Sequence, residues 1–178
     1  MSDLQLPAGM TKDNTCLFTG HRSIAEDARI PLYADLLRCI LRLRGEGIRY
    51  FLSGGAIGFD MLAAGAVLQT KPFQDDIHLV LVLPCRNQTE RWLKVNSASA
   101  VENIKNYQHL KDQADYIMYV NDLYHDGCMR ERNAQMIELG SHCIAYWNGS
   151  PIGGTAQTVR MANRANIPVT NLWQANVK

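Results

Sequence analysis

Six short apolar runs, separated by segments with helical periodicity, constrain the fold of this chain more than any other feature. The runs lie at 15–20, 48–55, 77–84, 114–120, 142–149 and 167–173. The run IHLVLVLP at 77–84 is almost entirely apolar, rich in β-branched residues, and stops at Pro84. Strands that are apolar along their whole length are typical of a parallel sheet covered on both faces.

The segments between these runs carry the apolar spacing of amphipathic helices. They lie at 31–44, 57–69, 98–113, 128–139 and 154–165. In the first of them Leu32, Leu36 and Ile40 form one stripe, and Pro31 is expected in the first helical turn. Strand and helix therefore alternate along the chain. This pattern predicts an α/β fold, a Rossmann-like doubly wound, mainly parallel sheet of about six strands with helices on both faces.

The length of 178 residues suits a single domain. We expect residues 1–13 to form a flexible N-terminal tail and residues 14–178 to form one domain. The N-terminal residues lack the pattern of a secretion signal, and no apolar run has the roughly 20 residues of a membrane helix. The five cysteines are odd in number and lack C-x-x-C spacing, which argues against a disulfide framework. These features favour a cytoplasmic protein without a membrane partner.

Charge and metal-ligand spacing narrow the range of functions. The net charge is +1, from 18 basic and 17 acidic residues, whereas a protein dedicated to duplex DNA usually has a strongly basic face. Duplex DNA is therefore not the expected partner. His125, Asp126 and Cys128 are close in sequence, but their spacing matches no common metal motif, so no metal site is predicted.

Two glycine-rich segments follow apolar runs, at the points where strands lead into helices. They read SGGAIGFD at 53–60 and NGSPIGGT at 148–155. In open parallel sheets, ligands bind beyond the carboxyl ends of the strands. Glycine lets backbone N–H groups approach a ligand there, and the helix start contributes partial positive charge. Ser53 and Thr155 add hydroxyl donors. This pattern favours phosphate binding, the alternative being that the glycines only shape tight turns.

The charged residues of these segments point the same way. Arg22, Arg86 and Arg132 fall on three segments of the predicted ligand edge, which suggests an anionic ligand. Asp60 lies in the first turn of a predicted helix, where it stabilises the helix N-terminus or accepts a hydrogen bond from a ligand hydroxyl. The spacing G-G-x-x-G is neither a dinucleotide fingerprint nor a P-loop. Trp92 and Trp147 either stack on a base or belong to the core.

Four motifs in register resemble one protein family. They are TGHR at 19–22, SGGAIGFD at 53–60, MRERNAQM at 129–136 and GGTAQT at 153–158. Together they resemble the YpsA-like proteins of the SLOG superfamily, which also includes LOG-type phosphoribohydrolases and the DprA DNA-processing proteins. The resemblance extends over roughly residues 15–173. It implies a Rossmann-like sheet with a pocket for a nucleotide or nucleotide derivative, in a family where many members bind ligands for signalling.

The resemblance to the LOG-type enzymes is only partial. Arg132 matches their phosphate-binding, catalytic arginine, and Gly154-Thr155 match the Gly-Thr pair of their glycine-rich loop. Their two glutamates are replaced by Gln157 and Thr158. Neither side chain can act as a carboxylate base or stabilise an oxocarbenium ion. The resemblance therefore implies a retained phosphate site and disfavours cleavage of an N-glycosidic bond.

The main hypothesis is that the chain binds a phosphorylated nucleotide or an NAD-derived ligand such as ADP-ribose, for signalling or regulation, with no obligatory cofactor. The predicted binding residues are Gly20, His21, Arg22, Ser53, Gly54, Gly55, Gly58, Asp60, Arg86, Arg132, Asn133, Gly153, Gly154 and Thr155.

Two further functions remain as alternatives. The first is a nucleotide N-glycosidase, for which His21, Glu90 and Arg132 are the candidate catalytic residues, with Glu90 as the replacement carboxylate. The second and weaker is single-stranded DNA binding, by analogy with DprA. A homo-oligomer is compatible with the sequence, and no feature of the sequence identifies a protein partner.

Overall fold

The computed structural model of the chain describes residues 6–93 and 98–174. These residues form one sheet of six parallel strands in the order β4-β3-β2-β1-β5-β6. The strands are β1 (Thr15–Gly20), β2 (Tyr50–Ser53), β3 (His78–Leu83), β4 (Tyr116–Tyr119), β5 (His142–Tyr146) and β6 (Val169–Asn171). The predicted Rossmann-like α/β fold is confirmed.

Six α-helices cover the two faces of this sheet in the described part of the chain. They are α1 (Glu26–Gly45), α2 (Phe59–Thr70), α3 (Glu90–Leu93), α4 (Ala98–Gln113), α5 (Cys128–Leu139) and α6 (Gly154–Arg164). Helices α1, α2 and α4 pack on one face, and α5 and α6 pack on the other. Parallel crossovers are right-handed, so the direction in which the chain moves along the sheet decides which face each helix covers. The chain moves in one direction from β1 to β4 and in the other from β4 through β5 to β6, so the two sets of helices lie on opposite faces.

The core is divided between the two faces of the sheet by the alternation of side chains along each strand. In β1, Phe18 packs into the layer of α1 and α2, whereas Leu17 packs into the layer of α5 and α6. Both side chains are almost fully buried. Burial on both faces explains why the strands are continuous apolar runs in the sequence.

Strand order reverses between β1 and β5, which are hydrogen-bonded neighbours in the sheet. Gly20 at the end of β1 lies opposite Tyr146 at the end of β5. The His21 amide extends the pairing by donating to the Tyr146 carbonyl at 3.1 Å. Connections leave this point in opposite directions, so a crevice opens beyond the carboxyl ends of the two strands.

The beginning of α1 differs from the prediction. The helix starts at Glu26, so Pro31 lies inside it, beyond the first turn, and the prediction of a first-turn proline is wrong. Glu26 and Asp27 occupy the first turn, where acidic side chains stabilise the partial positive charge of a helix N-terminus. The short helix α3 was not predicted.

Residues 6–13 of the predicted tail contact the domain. The Tyr50 hydroxyl donates to the Ala8 carbonyl at 2.8 Å, and Met10 is buried in the core layer of α5 and α6. Residues 1–5 of that predicted tail lie outside the described residues. Within the described ranges, no helix combines the length and apolar character that crossing a membrane requires.

Candidate functional site

A cavity of about 330 Å³ lies beyond the carboxyl end of β1, at the reversal of strand order. It brings together nine of the fourteen predicted binding residues from four separate segments of the chain. These residues are Gly20, His21, Arg22, Asp60, Arg132, Asn133, Gly153, Gly154 and Thr155. We call this cavity the switch-point cavity.

The N-terminus of α6 forms one wall of the switch-point cavity. Gly153 precedes the helix with a φ of +103°, a conformation that favours glycine, and it caps the helix without a side chain. The Gln157 amide donates to the Gly153 carbonyl at 3.0 Å, so the amides before it have no acceptor within the helix. A Cβ added to Gly153 or Gly154 would meet no atom within 4 Å. This wall therefore presents open backbone N–H groups.

Arg132 supplies a buried positive charge from α5. Its Nε donates to Asn133 Oδ1 at 2.8 Å, its Nη1 donates to the Gly54 carbonyl, and Nη1 lies 4.0 Å from Asp60 Oδ2. Burial lowers the pKa of Arg132 from its usual value, and the Asp60 carboxylate opposes that effect. An arginine guanidinium stays protonated at neutral pH, so the cation is fixed in orientation as well as charge.

Asp60 is the second residue of α2 and its side chain is buried with that of Arg132. Burial raises the pKa of Asp60, whereas the Arg132 cation and the backbone amides of Ala56 and Gly54 lower it. Among the described residues that line the switch-point cavity, Asp60 is the one carboxylate. Its contacts join the glycine-rich turn after β2 to α5.

The glycines after β2 are explained by packing within the protein. A Cβ on Gly54 would overlap the Arg132 guanidinium, and one on Gly58 would overlap the Arg22 backbone. A Cβ on Gly55 would lie 2.9 Å from Leu83 Cδ2. Gly55 and Gly58 also have positive φ angles of +63° and +91°. None of the three lines the switch-point cavity.

Ser53 is occupied in the same turn. Its hydroxyl donates to the Asp60 carbonyl at 2.9 Å and accepts from the Gly55 amide at 3.2 Å. The side chain is fully buried and does not line the switch-point cavity. Ser53 therefore stabilises the turn that holds Asp60.

The structure brings two of the three predicted arginines together. Arg22 is exposed, lines the switch-point cavity, and makes no hydrogen bond or salt bridge through its guanidinium to the described residues. Arg86 does not line this cavity: its Nε lies 3.2 Å from Asp122 Oδ1, and its guanidinium lies 4.4 Å from the centre of the Tyr119 ring. Arg86 follows β3 and leans towards β4, at the edge of the sheet away from the strand reversal.

The other catalytic candidates differ in position. His21 lines the switch-point cavity, where its Nε2 lies 3.0 Å from the backbone nitrogen of Asn148 and 2.9 Å from the side-chain Oδ1 of the same residue. Either neutral tautomer therefore bonds Asn148 and connects the loops after β1 and β5. Glu90, at the start of α3, does not line the cavity and accepts a hydrogen bond from Asn87 at 3.3 Å.

The positions that carry glutamates in LOG-type enzymes are also away from the cavity wall. Thr158 is buried and its hydroxyl donates to the Gly154 carbonyl at 2.9 Å within α6. Neither Thr158 nor Gln157 lines the switch-point cavity.

A second cavity of about 400 Å³ adjoins the first, with Arg22 and Met129 lining both. Its other walls include Gln88 from the loop after β3, Trp92 from α3 and Tyr124 from the loop after β4. We call it the side cavity. Of these three residues, only Trp92 carries a signal in the sequence, because its large aromatic ring is a candidate for base stacking. Gln88 and Tyr124 carry no such signal in a single sequence.

The structure holds no cluster suited to a metal among its described residues, taken as groups of three or more histidine, cysteine, aspartate and glutamate side chains. His125 instead lies 3.3 Å from Glu131, measured from Nε2 to Oε2, and Cys128 is buried at the start of α5. All five cysteines are free thiols.

Sequence comparison matches the model of the YspA SLOG family to residues 16–172. A UPF0398 protein from Halalkalibacterium halodurans is 21% identical over 127 residues, which are 70% of this chain and 64% of that protein. A UPF0398 protein from Brevibacillus brevis is 29% identical over 92 residues, 52% of this chain and 45% of that protein. The chain thus spans less than two thirds of the length of these two relatives.

Structure comparison finds the same fold in DNA processing protein A. The protein from Helicobacter pylori, which binds single-stranded DNA, superimposes with a TM-score of 0.62 at 19% identity, over 94% of this chain and 68% of that one. DNA processing protein A (DprA) from Streptococcus pneumoniae superimposes with a TM-score of 0.62 at 15% identity, over 94% of this chain and 53% of that one. At these identities the likeness concerns the fold.

Proposed function

Since this chain belongs to the YspA SLOG family, we propose that it binds a phosphorylated nucleotide or an NAD-derived ligand such as ADP-ribose in the switch-point cavity. The phosphate lies against the N-terminus of α6, between the Arg22 and Arg132 guanidinium groups. The predicted site residues that line the cavity supply these contacts.

One observation carries this proposal: two arginines and an open helix N-terminus converge on one cavity. Backbone N–H groups at a helix start, together with the helix dipole, favour an anion. Arginine adds charge-assisted hydrogen bonds whose planar geometry suits phosphate oxygens. Gly153 and Gly154 leave the approach to these N–H groups clear of side chains. The combination supports a phosphate more than a neutral ligand.

The cavity chemistry supports binding more than bond cleavage. Asp60 is the one carboxylate among the described lining residues, and it is committed to Arg132 and to backbone amides. A general base has to reach the water or substrate proton that it removes. Glu90 does not line the cavity. We therefore propose that the chain binds its ligand without cleaving it. Release of free base from a nucleotide would instead show N-glycosidic hydrolysis.

Thermal denaturation with matched ligand pairs tests the proposal. Each phosphorylated compound is compared with its dephosphorylated form: AMP with adenosine, and ribose 5-phosphate with ribose, with NAD and ADP-ribose added. A ligand at 100 times its dissociation constant stabilises the fold by about 2.7 kcal/mol. We expect stabilisation by phosphorylated compounds alone. A folded protein that responds to none of them, or equally to both members of each pair, contradicts the proposal.

Single-stranded DNA binding is a second candidate, favoured by the similarity to the H. pylori DNA processing protein A. Arg86 lies over Tyr119, and Arg91 lies 3.9 Å from the centre of the Tyr124 ring, near the carboxyl edge of the sheet. Exposed arginine and aromatic side chains are the groups that bind single strands. Titration of a labelled oligothymidylate should then show affinity that falls steeply as salt rises. Nucleotide binding without oligonucleotide binding excludes this candidate.

A further inference from the structure

The side cavity continues from the phosphate site proposed above. Arg22 and Met129 line both cavities, so the two cavities are neighbours and a ligand that occupies both would lie beside these two side chains. Its volume of about 400 Å³ falls within the range of small-molecule pockets. A ligand that fills both spaces needs a phosphate at one end and a second group at the other.

Gln88, one of the residues that line the side cavity, has an unused hydrogen-bond acceptor. The residue is 2% exposed, and its Nε2 donates to the Gly55 carbonyl at 3.3 Å. A carbonyl only accepts hydrogen bonds, so this contact fixes which end of the amide faces Gly55. The other end, Oε1, is buried and has no donor in the described part of the chain. Buried polar atoms in native proteins are nearly always paired, so this acceptor points to a ligand donor.

The remaining walls suit a flat, largely apolar group. Trp92 is 9% exposed and packs edge-on against Tyr107, with ring centres 5.2 Å apart, which fixes the indole in place. The Tyr124 ring, covered by the Arg91 guanidinium, adds a second aromatic wall, and Ile57 adds an aliphatic one. Aromatic walls with a few placed polar groups favour a planar heteroaromatic ring.

We propose that the side cavity binds the base of the nucleotide, and that Gln88 Oε1 accepts a hydrogen bond from an exocyclic amino group of that base. This inference rests on the proposed phosphate site. It names the ligand class more narrowly: nucleotides whose base carries an amino group are preferred over those with an oxo group at the same position. An oxo group opposite Oε1 would place two acceptors together and leave both unpaired.

Two nucleotide pairs test this preference directly, because AMP differs from IMP, and CMP from UMP, in an amino group replaced by an oxo group. Their affinities are measured by calorimetry together with that of ribose 5-phosphate, which lacks a base. The parent protein should prefer the amino member of at least one pair by about tenfold. Gln88→Met keeps the side-chain volume but removes the acceptor, so it should abolish the preference and leave ribose 5-phosphate affinity unchanged.

A second variant keeps the proposal testable if Gln88→Met, which replaces a buried side chain, disturbs the fold. Tyr124→Ser removes a ring of the side cavity but leaves Gln88 in place, and should weaken AMP binding without affecting ribose 5-phosphate. Equal affinity of the parent for both members of both pairs overturns the inference, as does a preference that survives Gln88→Met or AMP affinity that survives Tyr124→Ser. If ribose 5-phosphate binds in these cases, the phosphate site stands and only the base site is wrong. If no phosphorylated compound binds, both are wrong.

Discussion

Arg132 Nη1 lies 4.0 Å from Asp60 Oδ2, and each of the two side chains is 7% exposed. The pair connects α5 to the first turn of α2, beside the reversal of strand order. It also explains Gly54, because any side chain there would occupy the space of the guanidinium. The Arg132 charge at the proposed phosphate site is therefore also part of the folded core.

Replacing Arg132 should cost stability as well as affinity. Arg132→Met leaves the Asp60 carboxylate buried without its partner, and such unpaired charges typically cost about 3–5 kcal/mol. The double variant Asp60→Asn/Arg132→Met removes both charges and should recover part of the loss. Urea denaturation of the parent and the three variants, including Asp60→Asn alone, gives the coupling free energy. A loss below about 1 kcal/mol for Arg132→Met would show that the pair is not a structural element.

Arg22 offers a cleaner measure of the phosphate contact than Arg132. Arg22 is exposed and its guanidinium forms no salt bridge with a carboxylate of the described residues, so Arg22→Ala should change the free energy of unfolding by less than about 0.5 kcal/mol. Loss of a charge-assisted hydrogen bond should weaken binding of ribose 5-phosphate by tenfold or more, on the order of 1.5–3 kcal/mol. Arg86→Ala is the matched control, because it removes the same charge outside the cavity. Equal effects of both variants would indicate general electrostatic attraction.

Gly154 should tolerate a side chain in the fold but not in the complex. Its Cβ would lie in open space and its φ is not positive, so Gly154→Val should melt close to the parent temperature. The valine side chain occupies the approach to the α6 amides, and ligand affinity should fall by tenfold or more. Gly65→Ala, in α2, is the control: its Cβ is also unobstructed, and alanine should stabilise the helix by up to about 1 kcal/mol without affecting affinity. Unchanged ligand affinity in Gly154→Val would contradict the proposed position of the phosphate at the N-terminus of α6.

Gly58 should behave in the opposite way. Gly58→Ala combines a positive φ of +91° with a collision between the new Cβ and the Arg22 backbone. The strain of such a conformation is about 1–3 kcal/mol before the collision is added. Thermal and urea denaturation should therefore show a clear loss of stability in the absence of any ligand. A variant as stable as the parent would mean that the turn after β2 adapts freely.

The cysteines should differ in their reaction with an alkylating reagent. Burial raises the pKa of Cys143 to about 12 and raises the pKa of Cys16, so almost no thiolate forms at pH 8. Burial raises the pKa of Cys39 as well, but Cys39 is only half-buried, whereas the other four cysteines are buried. Mass spectrometry after brief labelling of the folded protein should find Cys39 modified first, and the others only after denaturation. Early modification of Cys143 would indicate local opening of the sheet.

Much of the site could be predicted because strand ends and glycine-rich turns are local features. The segments 19–22 and 153–155 were predicted at the ligand edge, and the structure places both on the switch-point cavity. Arg86 has the same local signal as Arg22, but it follows β3, which lies two strands away from β1 in the sheet, and so it does not line the cavity. Gln88 was missed because a lone glutamine becomes informative only when burial leaves one end of its amide without a partner.

The amino-acid sequence by itself determined the alternation of strands and helices, because side-chain hydrophobicity and turn residues act over a few neighbouring positions. It also determined that glycines and arginines stand at strand ends. Only the tertiary structure decided what those residues do. Gly54 and Gly58 make room for protein groups, Gly153 and Gly154 face open space, and Asp60 is paired with Arg132. These roles depend on contacts between segments far apart in the chain, and strand order brings such segments together in ways that no local pattern encodes.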